Sequence, residues 1–111
     1  MHTDDVGNFV IAVYKPHQGK EEALLEVLKD HLPILRKEKL ATDFPPLHLR
    51  ATNGTVLEIF EWVSDEAVRS AHTNPVVLKL WERFNQVCDY DKLSGLKEAA
   101  TIFPHFERIE L

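Results

Sequence analysis

Asn53-Gly54 constrains this chain more than any other pair of its residues. It stands between two runs of alternating β-formers, Leu47-His48-Leu49-Arg50-Ala51-Thr52 and Thr55-Val56-Leu57-Glu58-Ile59-Phe60-Glu61-Trp62. A type I′ turn needs positive φ at both central residues, which Asn and Gly tolerate best. The pair therefore predicts a tight β-hairpin, and a two-residue loop sets its register: Thr52 opposite Thr55, Ala51 opposite Val56, and so on outward. In that register Leu47, Leu49, Ala51, Val56, Glu58, Phe60 and Trp62 share one face. His48, Arg50, Thr52, Thr55, Leu57, Ile59 and Glu61 share the other. Asn53-Gly54-Thr55 also fits a glycosylation sequon, but in a chain without an export signal it marks the turn.

The elements around the hairpin follow from periodicity. Phe9-Val10-Ile11-Ala12-Val13-Tyr14, ended by Lys15-Pro16, reads as a strand. From Lys20 to Lys39 the residues Ala23, Leu24, Val27, Leu28, His31 and Leu35 recur at helical spacing, with Glu21, Glu22, Glu26 and Lys29 largely opposite. Pro33 is expected to kink or restart this helix. Thr42 to Pro46 is a break. Ser64 caps a short helix reaching about His72, with Asp65 and Glu66 at its positive end. Asn74-Pro75 reads as the cap and first residue of a longer helix with Val77, Leu80, Trp81, Phe84, Val87 and Cys88 on one face. Asp89 to Gly95 reads as a loop, followed by one helical turn through Ala99. Phe103 to Ile109 reads as the last strand, Pro104 at its start. The order strand, helix, strand, strand, helix, strand predicts an α+β fold: the ferredoxin-like split βαβ with an antiparallel sheet, one domain over residues 1–111. Met1 to Gly7 lack any pattern and are expected to be flexible.

A ferredoxin-like monomer packs helices on one sheet face and leaves the other wet, which requires hydrophobic-polar alternation. Both alternating sets of the first strand are apolar here: Phe9, Ile11 and Val13 on one side, Val10, Ala12 and Tyr14 on the other. A second cover is needed, and no unassigned segment is large enough to supply it. The expected cover is a second copy, giving a homodimer through the sheet face.

Charge and composition exclude several partners. The 13 Lys and Arg are interleaved with 18 acidic residues for a net charge of −5. Nucleic-acid binding relies on a basic stripe, so no nucleic-acid role is expected. No apolar run approaches the roughly 20 residues that cross a bilayer, so no membrane role is expected either. The start, MHTDDVGN, has no signal-peptide character, and the single Cys88 excludes an internal disulfide; a cytoplasmic location is the expectation.

The stretch FEWVSDEAVRSAHTNPVVLKLWERF, Phe60 to Phe84, resembles the antibiotic-biosynthesis-monooxygenase-like family of dimeric α+β barrel proteins. The shared pattern is a strand ending in Trp, then Ser, an acidic-Ala pair, a His and a Pro-started helix; the form with Cys88-Asp89-Tyr90 looks like a bacterial branch. The resemblance implies a sheet-to-sheet dimer. It also implies, in cofactor-independent members, a closed apolar pocket in which a base helps form the anion of a phenol or quinol, which then reacts directly with dioxygen. Haem-degrading relatives use an Asn on the first strand, a Trp and a haem-ligating His. Asn8 fits the first position, but the other two fall on Ala71 and Trp81, so that site is not expected.

The candidate catalytic residues are Glu58, His31 and His72. Glu58 is the one acid on a face otherwise made of Leu, Ala, Val, Phe and Trp, and burial would raise its pKa toward that of a useful base. The alternative is a structural pair with Arg50, a Lys or a partner-chain cation. His31 lies on the inward stripe of the first long helix, where it can meet Glu58 or serve as a satisfied core residue. His72 closes the short helix, where an imidazole near a C-terminus favours its charged form. Trp81, Phe84, Phe60 and Trp62 are core residues that can also wall a ligand pocket. His48 and Arg50 are assigned to the opposite face, bonding across the dimer. Cys88 has no matched base, the six His show no ligand-pair spacing, and neither a metal nor a cofactor is expected. Two functions remain open: a cofactor-independent monooxygenase or related enzyme acting on a small aromatic or quinol-like substrate, and a non-catalytic dimer that binds a small aromatic or lipid-like ligand or only assembles.

Overall fold

The computed structural model describes residues 7–111. The expectation for Met1 to Gly7 thus lies, apart from Gly7, outside the described residues. β1 (Asn8–Pro16), α1 (Glu21–Lys37), β2 (Leu47–Arg50), β3 (Val56–Trp62), α2 (Asp65–Ala71) and α3 (Pro75–Val87) follow in the expected order. Two short strands, β4 (Cys88–Tyr90) and β5 (Glu107–Arg108), complete an antiparallel sheet of order β4-β1-β3-β2-β5. This is a small α+β fold of ferredoxin-like order with one added edge strand.

The helices start where their caps put them. Ser64 accepts from the Ala67 amide at 3.0 Å, and Asn74 Oδ1 accepts from Val76 and Val77 at 2.9 and 3.3 Å ahead of Pro75. α1 runs through Pro33 without interruption, and the proline lies on the exposed side of the helix. Its inner stripe buries Leu24, Val27, Leu28, His31, Leu32 and Leu35.

The hairpin register differs from expectation by one residue. Leu47 pairs with Ile59, His48 with Glu58, Leu49 with Leu57 and Arg50 with Val56. The loop has three residues: the Ala51 amide donates to the Thr55 carbonyl at 2.8 Å, and the Gly54 amide to the Ala51 carbonyl at 3.0 Å. Only Gly54 takes a positive φ, +89°, so this is a type I turn closed by a left-handed glycine, not a type I′ turn. Asn53 Oδ1 accepts from the Thr55 amide at 3.0 Å and stabilises it. A one-residue slip exchanges the faces of the slipped strand. His48 and Arg50 therefore lie on the helix side with Val56, Glu58, Phe60 and Trp62, while Leu47 and Leu49 turn to the outer side. Arg50 does not reach across a dimer; it bonds Glu21 at the start of α1 and Glu107 in β5.

The last strand is also corrected. Cys88–Tyr90, read as the end of a helix face and a loop, pairs with β1 at one edge of the sheet. The C-terminal segment pairs instead with β2 at the far edge, through Leu49 and Arg108, Arg50 and Glu107, and the Ile109 amide donating to the His48 carbonyl at 2.8 Å. On the way it crosses the outer face through two 3-10 turns, Leu93–Gly95 and Lys97–Ala100. Leu96 and Phe106 pack there on Val13, Ala51, Leu57 and Leu49. Glu98 pins this strap to the hairpin loop by accepting from the amide and hydroxyl of Thr52 at 2.9 and 3.1 Å. The chain thus covers half of its own outer face, against the expectation that no segment was large enough to do so. The adjoining row of Ile11, Ile59 and Leu47 across β1, β3 and β2 stays open, with Ile11 46% and Leu47 52% exposed.

Candidate functional site

The site lies between the sheet and α1, and it is built on Glu58. β3 turns this carboxylate under α1, where it is fully buried. A buried carboxylate is tolerated only when its charge and lone pairs are matched. Glu58 Oε1 accepts from His31 Nδ1 at 2.6 Å and from the Tyr14 hydroxyl at 3.1 Å; Oε2 accepts from His48 Nε2 at 2.8 Å. The four residues come from four elements: β1 gives Tyr14, α1 His31, β2 His48 and β3 Glu58. Cross-strand register puts His48 directly beside Glu58, and burial on α1 brings His31 down onto it.

Burial alone would raise the Glu58 pKa, as the sequence suggested. The two imidazoles outweigh it, His31 foremost by charge and hydrogen bond, and hold the carboxyl down at about 2. Glu58 is therefore an ionised anchor and not the base that its apolar neighbours suggested. Tyr14 moves the other way: burial first, then the Glu58 charge, holds its phenol well above the ordinary value. It remains a proton donor.

His31 is the group that faces outward from this anchor. Its ring is gripped edge-on by Phe60 at 5.4 Å and by Phe84 at 5.0 Å between ring centres. Phe84 in turn stacks flat on Tyr14 at 4.9 Å. Nδ1 bonds the Glu58 carboxylate at 2.6 Å, so Nε2 is the ring nitrogen left to meet a ligand. Among the described residues no buried side-chain nitrogen or oxygen lacks a partner, so Nε2 opens into the cavity that His31 lines.

That cavity has a volume of about 350 Å³ and lies between β1, β3, α1 and α3. Trp81, Phe84, Phe60 and Trp62, the expected pocket residues, all line it. Val10, Ala12 and Tyr14 form its floor, and the exposed Asn85 and Tyr90 stand at its mouth. A polar ring nitrogen in an aromatic-walled cavity of this size suits a flat ligand with a hydroxyl group.

Two expected residues are placed differently. His72 is exposed and does not line the cavity; its ring meets Trp81 edge-on at 5.1 Å, on the far side of the wall. Glu58 lies behind His31 instead of at the cavity surface. Asn8, the one position that fitted the haem-degrading pattern, donates to Asp65 at 2.7 Å at the start of α2. The Cys88 thiol donates to the Phe84 carbonyl at 3.2 Å, and burial raises its pKa to about 11, so it is no nucleophile.

Sequence reasoning missed Tyr14 and His48. Tyr14 was visible as the one hydroxyl on an apolar strand. His48 was hidden by the register, although a His and a Glu on facing strands is a pairing signal that favours the three-residue loop. Among the described residues no group of three or more His, Cys, Asp or Glu is arranged to hold a metal ion, and no helix is long and apolar enough to cross a membrane. No protein-family model matches the chain, and no curated protein matches it.

Proposed function

We propose that this protein is a cofactor-independent oxygenase acting on a small hydroxylated aromatic, with His31 as its general base. The observation that carries the reading is the Glu58–His31 pair with the free Nε2 turned into an aromatic cavity. Glu58 fixes the tautomer and stabilises the imidazolium that forms when Nε2 takes the substrate's proton. The aromatic walls hold the ring and exclude water, which strengthens that interaction. The resulting anion is electron-rich enough to react with dioxygen without a metal or flavin. In an anthrone-type substrate a ring CH2 becomes a carbonyl; one oxygen atom enters the product, the other leaves as water, and the substrate carbon supplies all four electrons.

The active form is a homodimer in which the open row of Ile11, Ile59 and Leu47 packs on a second copy. Phe9, 52% exposed and set edge-on to Phe44 at 5.3 Å, extends the same patch. Exposed apolar patches of this kind mark association surfaces.

Oxygen uptake with anthrone, measured on an oxygen electrode, tests the activity. Wild-type protein is expected to accelerate uptake, and His31→Gln to lose about 10²–10⁴-fold, the range for a general base. Uptake no faster than in buffer, or a His31→Gln variant as active as wild type, would sink the reading. One observation favours a ligand-binding protein without turnover: Glu58 already accepts three bonds, the pattern of a satisfied structural network. In that case anthrone quenches the fluorescence of Trp62 and Trp81 but oxygen is not consumed.

A further inference from the structure

The hairpin loop is also a reactive group. Asn53 is exposed, and the residue after it has no side chain to shield its peptide nitrogen. Nothing lies within 4 Å of the point where a Cβ on Gly54 would stand, so this side of the peptide is open to water and to ring closure. The three other asparagines lack that combination. Asn8 precedes Phe9 in β1, Asn85 precedes Gln86 within α3, and Asn74 precedes Pro75, whose nitrogen carries no hydrogen.

Two hydrogen bonds act on the pair in opposite senses. The Thr55 amide donates to Asn53 Oδ1 at 3.0 Å, which curls the side chain back along the loop and stabilises negative charge building on that oxygen. The Gly54 amide donates to the Ala51 carbonyl at 3.0 Å, and that bond has to open before the nitrogen can attack. The first bond prepares the electrophile and the second slows the nucleophile. The loop also holds something in place. Glu98 accepts from the amide and hydroxyl of Thr52, the residue before Asn53, at 2.9 and 3.1 Å. Those bonds pin the strap whose Leu96, 2% exposed, packs with Phe106 over Val13 and Leu57.

We propose that Asn53 is a self-modification site and that its conversion unpins the C-terminal strap. The Gly54 nitrogen attacks Asn53 Cγ and the Cγ–Nδ2 bond breaks. Ammonia leaves with the proton of the Gly54 amide, and a five-membered succinimide remains. Water then opens the ring at either carbonyl, giving aspartate or isoaspartate. No electrons change hands: one water is consumed and one ammonia released. Either product sets a carboxylate beside Thr52, the residue that holds Glu98, so like charges oppose the pin. Isoaspartate also adds a methylene to the main chain. A three-residue loop closed by the Ala51–Thr55 and Gly54–Ala51 bonds cannot take up that length and keep both. The site does not depend on any chemistry in the aromatic cavity.

Incubation of the full chain in mildly alkaline buffer at body temperature tests both steps. Peptide mass spectrometry is expected to show the mass gain of deamidation at Asn53 and not at Asn8, Asn74 or Asn85. Isoaspartate in the same peptide is identified by enzymatic methylation of its carboxylate. Asn53→Gln should stay unmodified over the same period, because a six-membered imide closes far more slowly. Hydrogen exchange reads the strap through the amide of Thr52, bonded to Glu98, and those of Ala99 and Thr101, bonded to Leu96 and Glu98 carbonyls. All three are expected to exchange at least tenfold faster in the modified fraction than in fresh protein, and at the fresh rate in incubated Asn53→Gln. Glu98→Gln without incubation should speed Ala99 and Thr101 in the same way. No gain at Asn53, gain at Asn8 or Asn85 at the same rate, modified protein with the exchange of fresh protein, or a strap indifferent to Glu98→Gln would each overturn the proposal.

Discussion

Glu58 keeps its charge where no water reaches, and two imidazoles and one phenol take the place of that water. Removing the charge leaves donors pointing at an oxygen that no longer attracts them, or at an amide hydrogen. Glu58→Gln is expected to lower stability by about 3 kcal/mol, in line with breaking a buried pair from one side, as read from urea unfolding. The pH dependence has a fixed sign. The folded pKa of about 2 is depressed below the ordinary 4.5, so the stabilisation is complete above that value and is lost as the pH falls from 4.5 toward 2. Acid unfolding monitored by circular dichroism should therefore be steep in that window for wild type and shallower for Glu58→Gln. An equal slope in both would show that other groups control acid stability. At this scale the sequence was informative about which residues matter. An acid among Val, Phe and Trp and a His on a buried stripe both stood out, and they do meet. What composition alone could not show was the sign of the Glu58 shift, because that depends on how closely His31, foremost, and then His48 approach it from other elements.

Local signals determined the element ends well and the strand pairing badly. Ser64, Asn74 and Pro75 act on residues within a turn of themselves, so α2 and α3 begin as expected. The β4 and β5 strands have three and two residues, too short for any period, and only contact with β1 and β2 makes them strands. The Asn53-Gly54 pair marks the hairpin loop, but the choice between two and three residues depends on whether Leu47 and Leu49 or His48 and Arg50 join Val56 and Glu58 beneath α1. Backbone angles at two loop positions give paired expectations. Gly54, at φ +89°, should lose about 1–2 kcal/mol on substitution by Ala, since left-handed angles crowd a Cβ. Lys39 closes α1 at φ 62°, with its own amide bonded to Arg36 and the next amide, that of Leu40, bonded to Leu35, an arrangement that favours glycine. Lys39→Gly should gain up to about 1 kcal/mol. Thermal melts of the two variants should shift in opposite directions; a shift of Lys39→Gly downward would mean that the lysine side chain contributes more than its backbone costs.

The whole molecule divides its outer sheet face between two covers. One row, Val13, Leu57 and Leu49, is closed by Leu96 and Phe106 of the C-terminal strap. The next row, Ile11, Ile59 and Leu47, has no cover within the chain, and Phe9 and Phe44 widen it. On the outer side of the doubly apolar first strand the chain itself buries Val13 and leaves Phe9 and Ile11 about half exposed, a division that apolar alternation within one strand does not encode. The strap closes one half, and the surface proposed for the dimer is the other. Substitutions in the open row test it without disturbing the monomer's core, since Ile11 and Phe9 are half exposed there. Ile11→Lys and Phe9→Lys would each bury a charge in a symmetric contact twice over, once per copy. Sedimentation velocity at micromolar concentration should show wild type as a dimer and both variants as monomers with unchanged circular dichroism. Substitution of Tyr90, exposed at the other edge beside the cavity mouth, should leave the dimer intact. A wild-type monomer, or a dimer that survives both lysines and is lost with Tyr90, would move the interface away from the open row.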